Sequence, residues 1–413
     1  MAARGSTSFS TSSYSRTDSA RATIRESSPG CWRTTSRCAV RSSGSVPSCT
    51  RPTVSTRGPR AAERRGRDRL GEAAVSRGIA LVTGATGFAG SHVVDHLLAA
   101  GLSVRVLVRS SSNLRWLEGK SVDRIEADLR EPEKLRRAAE GVGAVFHFGG
   151  RITARTSREF HEANADGTES LARAFLDAGQ ADGSGFFLYC SSLSAGGPVP
   201  SFDRGPVPHV REDDPPRPVS PYGQSKLDGE RRLEILGDRA RVVIIRPPAI
   251  YGPRDEAILR FLRWIQNGWL LMPPRKGNLF SLIHIRDLAR ASVEAMLSSC
   301  ARGIYYLSDG EPHTWQNIGQ LAGSILGVRP RCIRLPLVPA YLAALLGEIA
   351  ARLGGRPPLM SLGKIHEFRQ RAWVCLPDKA GAEFGFRPRV TVREGMEETI
   401  RWYQSVGWLR AAR

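Results

Sequence analysis

Three groups of residues in this chain have the types and spacing to do chemistry together. Thr83-Gly84-Ala85-Thr86-Gly87-Phe88-Ala89-Gly90 sets glycines three apart, a turn that lets backbone N–H groups approach a pyrophosphate at the start of a helix. Tyr222 and Lys226 stand four residues apart, so a helix puts phenol and ammonium on one face. A free phenol titrates near ~10, too high for ready proton exchange at neutral pH, and a neighbouring cation lowers that value. Ser192, thirty residues before Tyr222, can donate a hydrogen bond to a reacting oxygen. Taken singly, the glycines read as a loop without a ligand and the Tyr/Lys pair as a solvated helix face. Together they describe hydride and proton exchange between an alcohol and a ketone.

Those groups need a frame. Ile79-Ala80-Leu81-Val82 is a short apolar strand directly before the glycines, of the kind buried on both faces of a parallel sheet. A helix with Val93, Val94, Leu97 and Leu98 follows it. Val104–Val108, Arg124–Ala127, Ala144–His147, Phe186–Tyr189 and Val242–Ile245 read as further strands, and Pro132 opens a helix at a favoured early position. Such alternation predicts an α/β fold, a Rossmann-type doubly wound parallel sheet. Beyond Pro247 the pattern turns irregular, with many Pro, Gly and Trp. The expected organisation is an extension over 1–77, a dinucleotide-binding domain over 78–250, and a smaller, mainly substrate-binding lobe over 251–413 interleaved with the sheet.

Composition bounds the rest. The 413 residues are 41% hydrophobic and 24% charged, ordinary for a globular protein. The net charge of +20 divides evenly, because residues 1–77 hold fifteen Arg, no Lys and five acids, leaving +10 for the remainder. That first segment is Ser/Thr/Arg-rich without hydrophobic periodicity and is expected to be disordered. A mis-assigned start is favoured over a transit-like segment, since no amphipathic helix is evident. No aromatic–basic stacking motif accompanies the cations, so an anionic small molecule is expected rather than nucleic acid. The seven Cys form no CxxC pair or Cys/His cluster with metal spacing. No metal centre is expected, and a reduced, cytoplasmic setting is the simpler reading. The longest apolar run, Leu335–Gly347, is too short to span a membrane. That run, Trp264 and Trp269 are read first as lobe core, with a substrate channel or peripheral membrane contact as alternatives. His92 and His96 at helical spacing are read as packing, and Cys190 as a buried thiol.

The second strand ends in Val108-Arg109-Ser110-Ser111. An acid there would bind a ribose diol and repel a 2′-phosphate, whereas a cation with hydroxyls does the opposite. NADP is therefore expected in preference to NAD, the alternative being that Arg109 stacks on adenine while NAD is used.

Further stretches join the glycine turn and the Tyr/Lys pair in a common likeness. They are Asp128-Leu129, His147-Phe148-Gly149-Gly150, Asn164-Ala165-Asp166-Gly167-Thr168, the run Arg246 to Pro253, His284-Ile285-Arg286-Asp287 and Glu383 to Pro388. From about residue 78 onward the chain resembles the extended short-chain dehydrogenase/reductases of the NAD(P)-dependent epimerase/dehydratase family. The resemblance implies catalytic roles for Ser192, Tyr222, Lys226 and Asn164. It implies cofactor contacts from Gly84, Thr86, Gly87, Phe88, Gly90, Arg109, Asp128, Leu129, Phe148, Gly149, Ser191, Tyr222, Lys226, Pro248, Ala249 and Ile250. Tyr222 would exchange the proton, Lys226 would hold the nicotinamide ribose, and Ser192 would orient the substrate oxygen. Glycines stand where the family's fourth-strand motif carries alanines. A homodimer through two helices of the sheet domain is also implied.

Within that family the chain looks most similar to the 3β-hydroxysteroid dehydrogenase and dihydroflavonol reductase branch, on Ser191-Ser192-Leu193-Ser194-Ala195-Gly196-Gly197-Pro198. Nucleotide-sugar enzymes of the family place an Arg clamp where this chain has Phe280-Ser281-Leu282, although Arg260, Arg263 or Arg275 could substitute. Leu193 and Ser194 after the Ser disfavour dehydration. The expected reaction is reversible hydride transfer to a sterol-like or other hydrophobic ketone. A nucleotide-sugar 4-epimerase and a non-catalytic dinucleotide sensor are the alternatives.

Overall fold

A computed structural model describes residues 78–179, 185–200, 207–273, 277–334, 336–354, 358 and 361–410, all inside one unit, Thr53–Arg413. The expectation for 1–77, together with Leu335 and Arg275, lies outside the described residues. Six strands stand where the sequence predicts them: β1 (Ile79–Thr83), β2 (Val104–Val108), β3 (Asp123–Glu126), β4 (Val142–His147), β5 (Gly185–Cys190) and β6 (Ala240–Arg246). The later chain adds β7 (Ala249–Tyr251), β8 (Trp269–Met272), β9 (Leu279–Phe280), β10 (Leu282–His284) and β11 (Gly303–Tyr306). Of these, β11 pairs in parallel with β6 and completes a seven-stranded sheet of order β11-β6-β5-β4-β1-β2-β3. The fold class is the predicted doubly wound sheet.

Strand residues alternate between two cores because successive side chains leave opposite faces. Val82, Val106, Phe146, Leu188 and Ile245 pack on one face with Val93, Val94 and Leu97 of the helix Phe88–Ala99 and Leu288 of the helix Ile285–Leu297. Leu81, Leu107, Val145, Phe187 and Ile244 pack on the other with Leu171 and Phe175 of the helix Gly167–Asp177. Burial on both faces explains the near-continuous apolar runs. Strand order reverses between β1 and β4, and such a switch opens a crevice at the strands' carboxyl ends.

A separate apolar cluster holds the lobe together, with Leu259, Leu262, Leu270, Ile318, Met396 and Ile400 at its centre. The expectation that Trp264, Trp269 and the apolar run are lobe core is corrected here. Trp264 is 50% and Trp269 38% exposed, and the helix Leu337–Arg352 turns its large aliphatics outward.

Candidate active site

The glycine turn has the cradle its spacing predicts. Gly84 adopts a φ of +69°, and a Cβ there would meet the Phe148 carbonyl carbon at 2.6 Å. A Cβ on Gly90 would overlap the Gly84 oxygen at 2.2 Å, so the helix Phe88–Ala99 can start against the turn only without side chains. Gly87 caps that helix with no side-chain hydrogen bond to its first amides. Those N–H groups and the helix dipole therefore face the crevice, the donor set that a pyrophosphate fits. Thr83, Gly84, Thr86, Gly87, Arg109, Asp128, Leu129, Phe148 and Gly149 line one cleft of about 490 Å³. Phe88 begins the helix, and Gly90 is buried beneath the turn.

A buried chain of hydrogen bonds ties this cleft to the middle of the molecule. Thr83 Oγ1 accepts from Gly149 N at 3.1 Å and meets His147 Nδ1 at 2.6 Å. His147 Nε2 reaches Thr168 Oγ1 at 3.0 Å, and that hydroxyl donates to the Asn164 carbonyl at 2.7 Å. The Asn164 side chain, on a π-helical turn, accepts from Arg151 N at 2.7 Å and donates to Ser225 Oγ at 2.9 Å. Its amide donates to both the Arg151 carbonyl, at 3.0 Å, and Ser225, so Asn164 holds the loop after Gly150 against the helix Pro221–Arg232.

Ser220 caps that helix, its Oγ accepting from Gly223 N at 3.0 Å, with Pro221 in the first turn where proline is favoured. Tyr222 and Lys226 share one face, as the spacing predicts. The Ser192 hydroxyl lies on the phenol's side of the site, where its proximity favours the phenolate, and Ser192 Oγ accepts from Ser194 N at 3.1 Å. Lys226, 5% exposed, donates to the Cys190 carbonyl at 2.8 Å and lies 4.7 Å from the Tyr189 ring centre. A Cβ on Gly150 would stand 3.4 Å from Lys226 Nζ, which joins the ammonium to the glycine-lined cleft. Ser192, Tyr222 and Lys226 thus gather at the carboxyl end of β5.

One electrostatic expectation is reversed. Burial pushes the Tyr222 phenol well above its ordinary range, and the Ser192 hydroxyl only partly opposes it. The Lys226 ammonium is lowered by its own burial and directed at the Cys190 carbonyl, so it does not win over desolvation of the phenol.

Ser191 does not face the cleft with its hydroxyl, which donates to Glu230. Glu230 is held by Arg246 through Nε at 2.9 Å and Nη2 at 2.6 Å, and Arg246 Nη1 reaches Tyr306 Oη at 3.1 Å. Pro248, Ala249 and Ile250 follow β6 into β7, with the Pro247 carbonyl accepting from Leu193 N at 2.9 Å. This buried cluster braces the Ser192 turn from behind, and sequence reasoning missed Glu230. Its only signal is its place four residues after Lys226 on the same helix. Glu367 was also missed. It accepts from Ser220 Oγ at 2.6 Å and is pushed up by burial, and its charge in turn raises Tyr222.

Three buried histidines carry a stability consequence. Burial pushes His92 and His147 down to about 3 and His284 down to about 4. All three are neutral in the folded state, whereas the unfolded chain protonates them near ~6.5. Unfolding therefore takes up protons below that pH, so stability present above it is lost as pH falls. The expected slope is about 4 kcal/mol per unit between roughly pH 5.5 and pH 4.5. Urea unfolding across that range measures it, and a flat profile would contradict the burial argument.

Among the described residues no group of three or more His, Cys, Asp or Glu could hold a metal ion, and no helix is long and apolar enough to cross a membrane. Comparison with known proteins matches residues 80–305 to the NAD dependent epimerase/dehydratase family. The chain is 32% identical to a ceramide reductase of Caulobacter vibrioides, over 81% of this chain and 97% of the relative. It is 29% identical to a farnesyl-dihydroquinoline-oxide ketoreductase of Stigmatella aurantiaca, over 76% and 94%. Among solved structures, the UDP-glucose 4-epimerase of Thermus thermophilus in complex with NAD superposes with a TM-score of 0.62 at 26% identity, over 79% and 99%.

Proposed function

Because the chain belongs to the NAD dependent epimerase/dehydratase family and is an NAD(P)-dependent oxidoreductase, we propose that it interconverts a secondary alcohol and a ketone on a hydrophobic, lipid-like substrate. The observation that carries this reading is the gathering of Ser192, Tyr222 and Lys226 at the carboxyl end of β5, with Lys226 donating to the Cys190 carbonyl at 2.8 Å beside Gly150 of the glycine-lined cleft. The two reductases named above, one acting on a ceramide and one on a farnesylated ketone by their descriptions, support the substrate class. The dinucleotide, when bound, supplies or accepts the hydride. Tyr222 Oη gives the substrate oxygen its proton in reduction and takes it back in oxidation. Ser192 Oγ holds that oxygen, and Lys226 orients the ribose while keeping water out of the pocket wall. Asn164, Thr83 and His147 fix the two halves of the site relative to each other.

NADP is the proposed carrier. Arg130 is paired with Asp128 at 2.7 Å and Lys134 with Glu131 at 2.7 Å. Arg109 is exposed, forms no ion pair with described residues, and lines the same recess as Ser110 and Ser111. Its guanidinium is available for a 2′-phosphate. Arg109→Asp is expected to lower the affinity ratio of NADP to NAD by about 10–100-fold, on the scale of one charge-assisted hydrogen bond removed and one repulsion introduced. An unchanged ratio in cofactor titrations would remove the NADP assignment.

The likeness to an NAD-bound 4-epimerase keeps that reading as the rival. Phe280, an apolar side chain at the clamp position, packs against the Trp315 ring with centres 4.9 Å apart. Arg263 is committed to the Trp408 carbonyl at 3.2 Å. Both observations favour the reductase reading over recognition of a nucleotide diphosphate. Ketone-dependent oxidation of added NADPH, with no bound cofactor carried through purification, is the expected outcome.

A further inference from the structure

The helix Leu337–Arg352 is built inside out. Val338, Leu342, Leu345, Leu346, Ile349 and the following Leu353 are 70, 56, 45, 65, 46 and 84% exposed. Their spacing places them on one face, while the buried face is made of Ala344 and Ala351. A helix of a water-bathed lobe does the reverse, turning its large aliphatics inward. A contiguous outward apolar face of this kind marks a docking surface.

Charge identifies what docks. Residues 327–373 hold eight Arg or Lys and two acids, a net +6 of the +10 carried by residues 78–413. Exposed Arg331 and Arg334 lie on a strand, Arg331–Arg334, immediately before the helix, and that strand pairs with β8 so that Arg331 stands beside exposed Trp269. A second copy would bring this basic patch against itself. An apolar face that follows directly on exposed Arg331 and Arg334 instead fits the interface of a bilayer with anionic headgroups. The helix has 16 residues and lies along such a surface rather than across it.

The surface also adjoins the site. Glu348 of the helix accepts from Leu362 N at 2.9 Å, and Tyr341 accepts from Arg369 Nη1 at 3.0 Å. Those bonds fix the helix Leu362–Arg369, whose Glu367 accepts from Ser220 Oγ at the start of the Tyr222 helix.

We propose that the helix Leu337–Arg352 docks the protein on an anionic lipid surface, and that the site draws its apolar substrate from that bilayer. The second half rests on the ketone/alcohol reading above; the docking does not. The test is flotation of the full chain with phosphatidylcholine vesicles, with and without phosphatidylglycerol, beside the double variant Leu342→Asp, Leu346→Asp. The wild type is expected to float with the anionic vesicles at least about tenfold better than with neutral ones and to be released by salt. The double variant, altered only on its water-exposed face, is expected to lose binding by about a hundredfold. It should keep its melting temperature and its turnover of a water-soluble short-chain ketone, while turnover of a vesicle-embedded ketone falls with binding. Wild-type protein that stays with the soluble fraction at every vesicle composition overturns docking. So does a lipid-free dimer that the double variant abolishes, since a second copy then covers the face. Flotation without turnover of any ketone sinks the function reading and the delivery step while leaving docking standing.

Discussion

Tyr222→Phe is expected to leave dinucleotide binding unchanged and to lower kcat by about 10²–10⁴-fold, the range for a lost general acid. The phenyl ring keeps its packing against Phe160, whose ring centre lies 5.9 Å away. Only the hydroxyl that carries the proton is removed. The pH dependence follows from the raised phenol. Reduction needs the protonated form, which burial maintains through neutral pH, so its rate should be level there. Oxidation needs the phenolate and should climb about tenfold per unit from roughly pH 7 to pH 9 without a plateau. A plateau of the oxidation rate near neutrality would mean that the Lys226 cation overrides burial. Full turnover in the Phe variant, with cofactor bound, would remove Tyr222 from the chemistry.

The second large effect lies behind the site. Glu230→Ala leaves the Arg246 guanidinium, 2% exposed, with only Tyr306 as a side-chain partner among the described residues and takes the acceptor from the Ser191 hydroxyl. Breaking such a buried pair costs about 3–5 kcal/mol, because an uncompensated charge stays desolvated. The expected result in denaturant unfolding is a loss of that size. A double variant, Glu230→Leu with Arg246→Met, should recover most of it, since both charges leave together. Equal stability of the Ala variant and the wild type would show that water reaches Arg246.

The fold was legible where local sequence and tertiary burial agree. β1, β2 and β4 to β6 are apolar enough to announce burial on both faces, whereas β3, Asp-Arg-Ile-Glu, is a mostly exposed edge strand; the glycines of the turn are required by backbone approaches that no side chain permits. β11 was not legible: its Gly-Ile-Tyr-Tyr is short and follows a stretch that reads as lobe. The same division runs through the site. Ser192, Tyr222 and Lys226 declare themselves by residue type and spacing. Thr83 to His147 and Ser220 to Glu367 are separated by 64 and 147 residues, and only the folded chain brings them together. Helical spacing placed Lys226 on the phenol's face, but it could not say that the ammonium would turn to the Cys190 carbonyl. Nor could the apolar run over 337–349 reveal that its leucines point outward, because composition carries no direction.

The wager that a proton-bearing phenol and a dinucleotide meet in one pocket is most directly tested by single turnover. Purified protein, stoichiometric NADPH and a long-chain ketone are mixed while nicotinamide absorbance is followed. The expected result is one equivalent of NADPH consumed per alcohol formed in the wild type, with the same step slowed about 10²–10⁴-fold in Tyr222→Phe. Protein that instead arrives with tightly held NAD(H), inverts a UDP-hexose with no net change in absorbance, and ignores every ketone would contradict it.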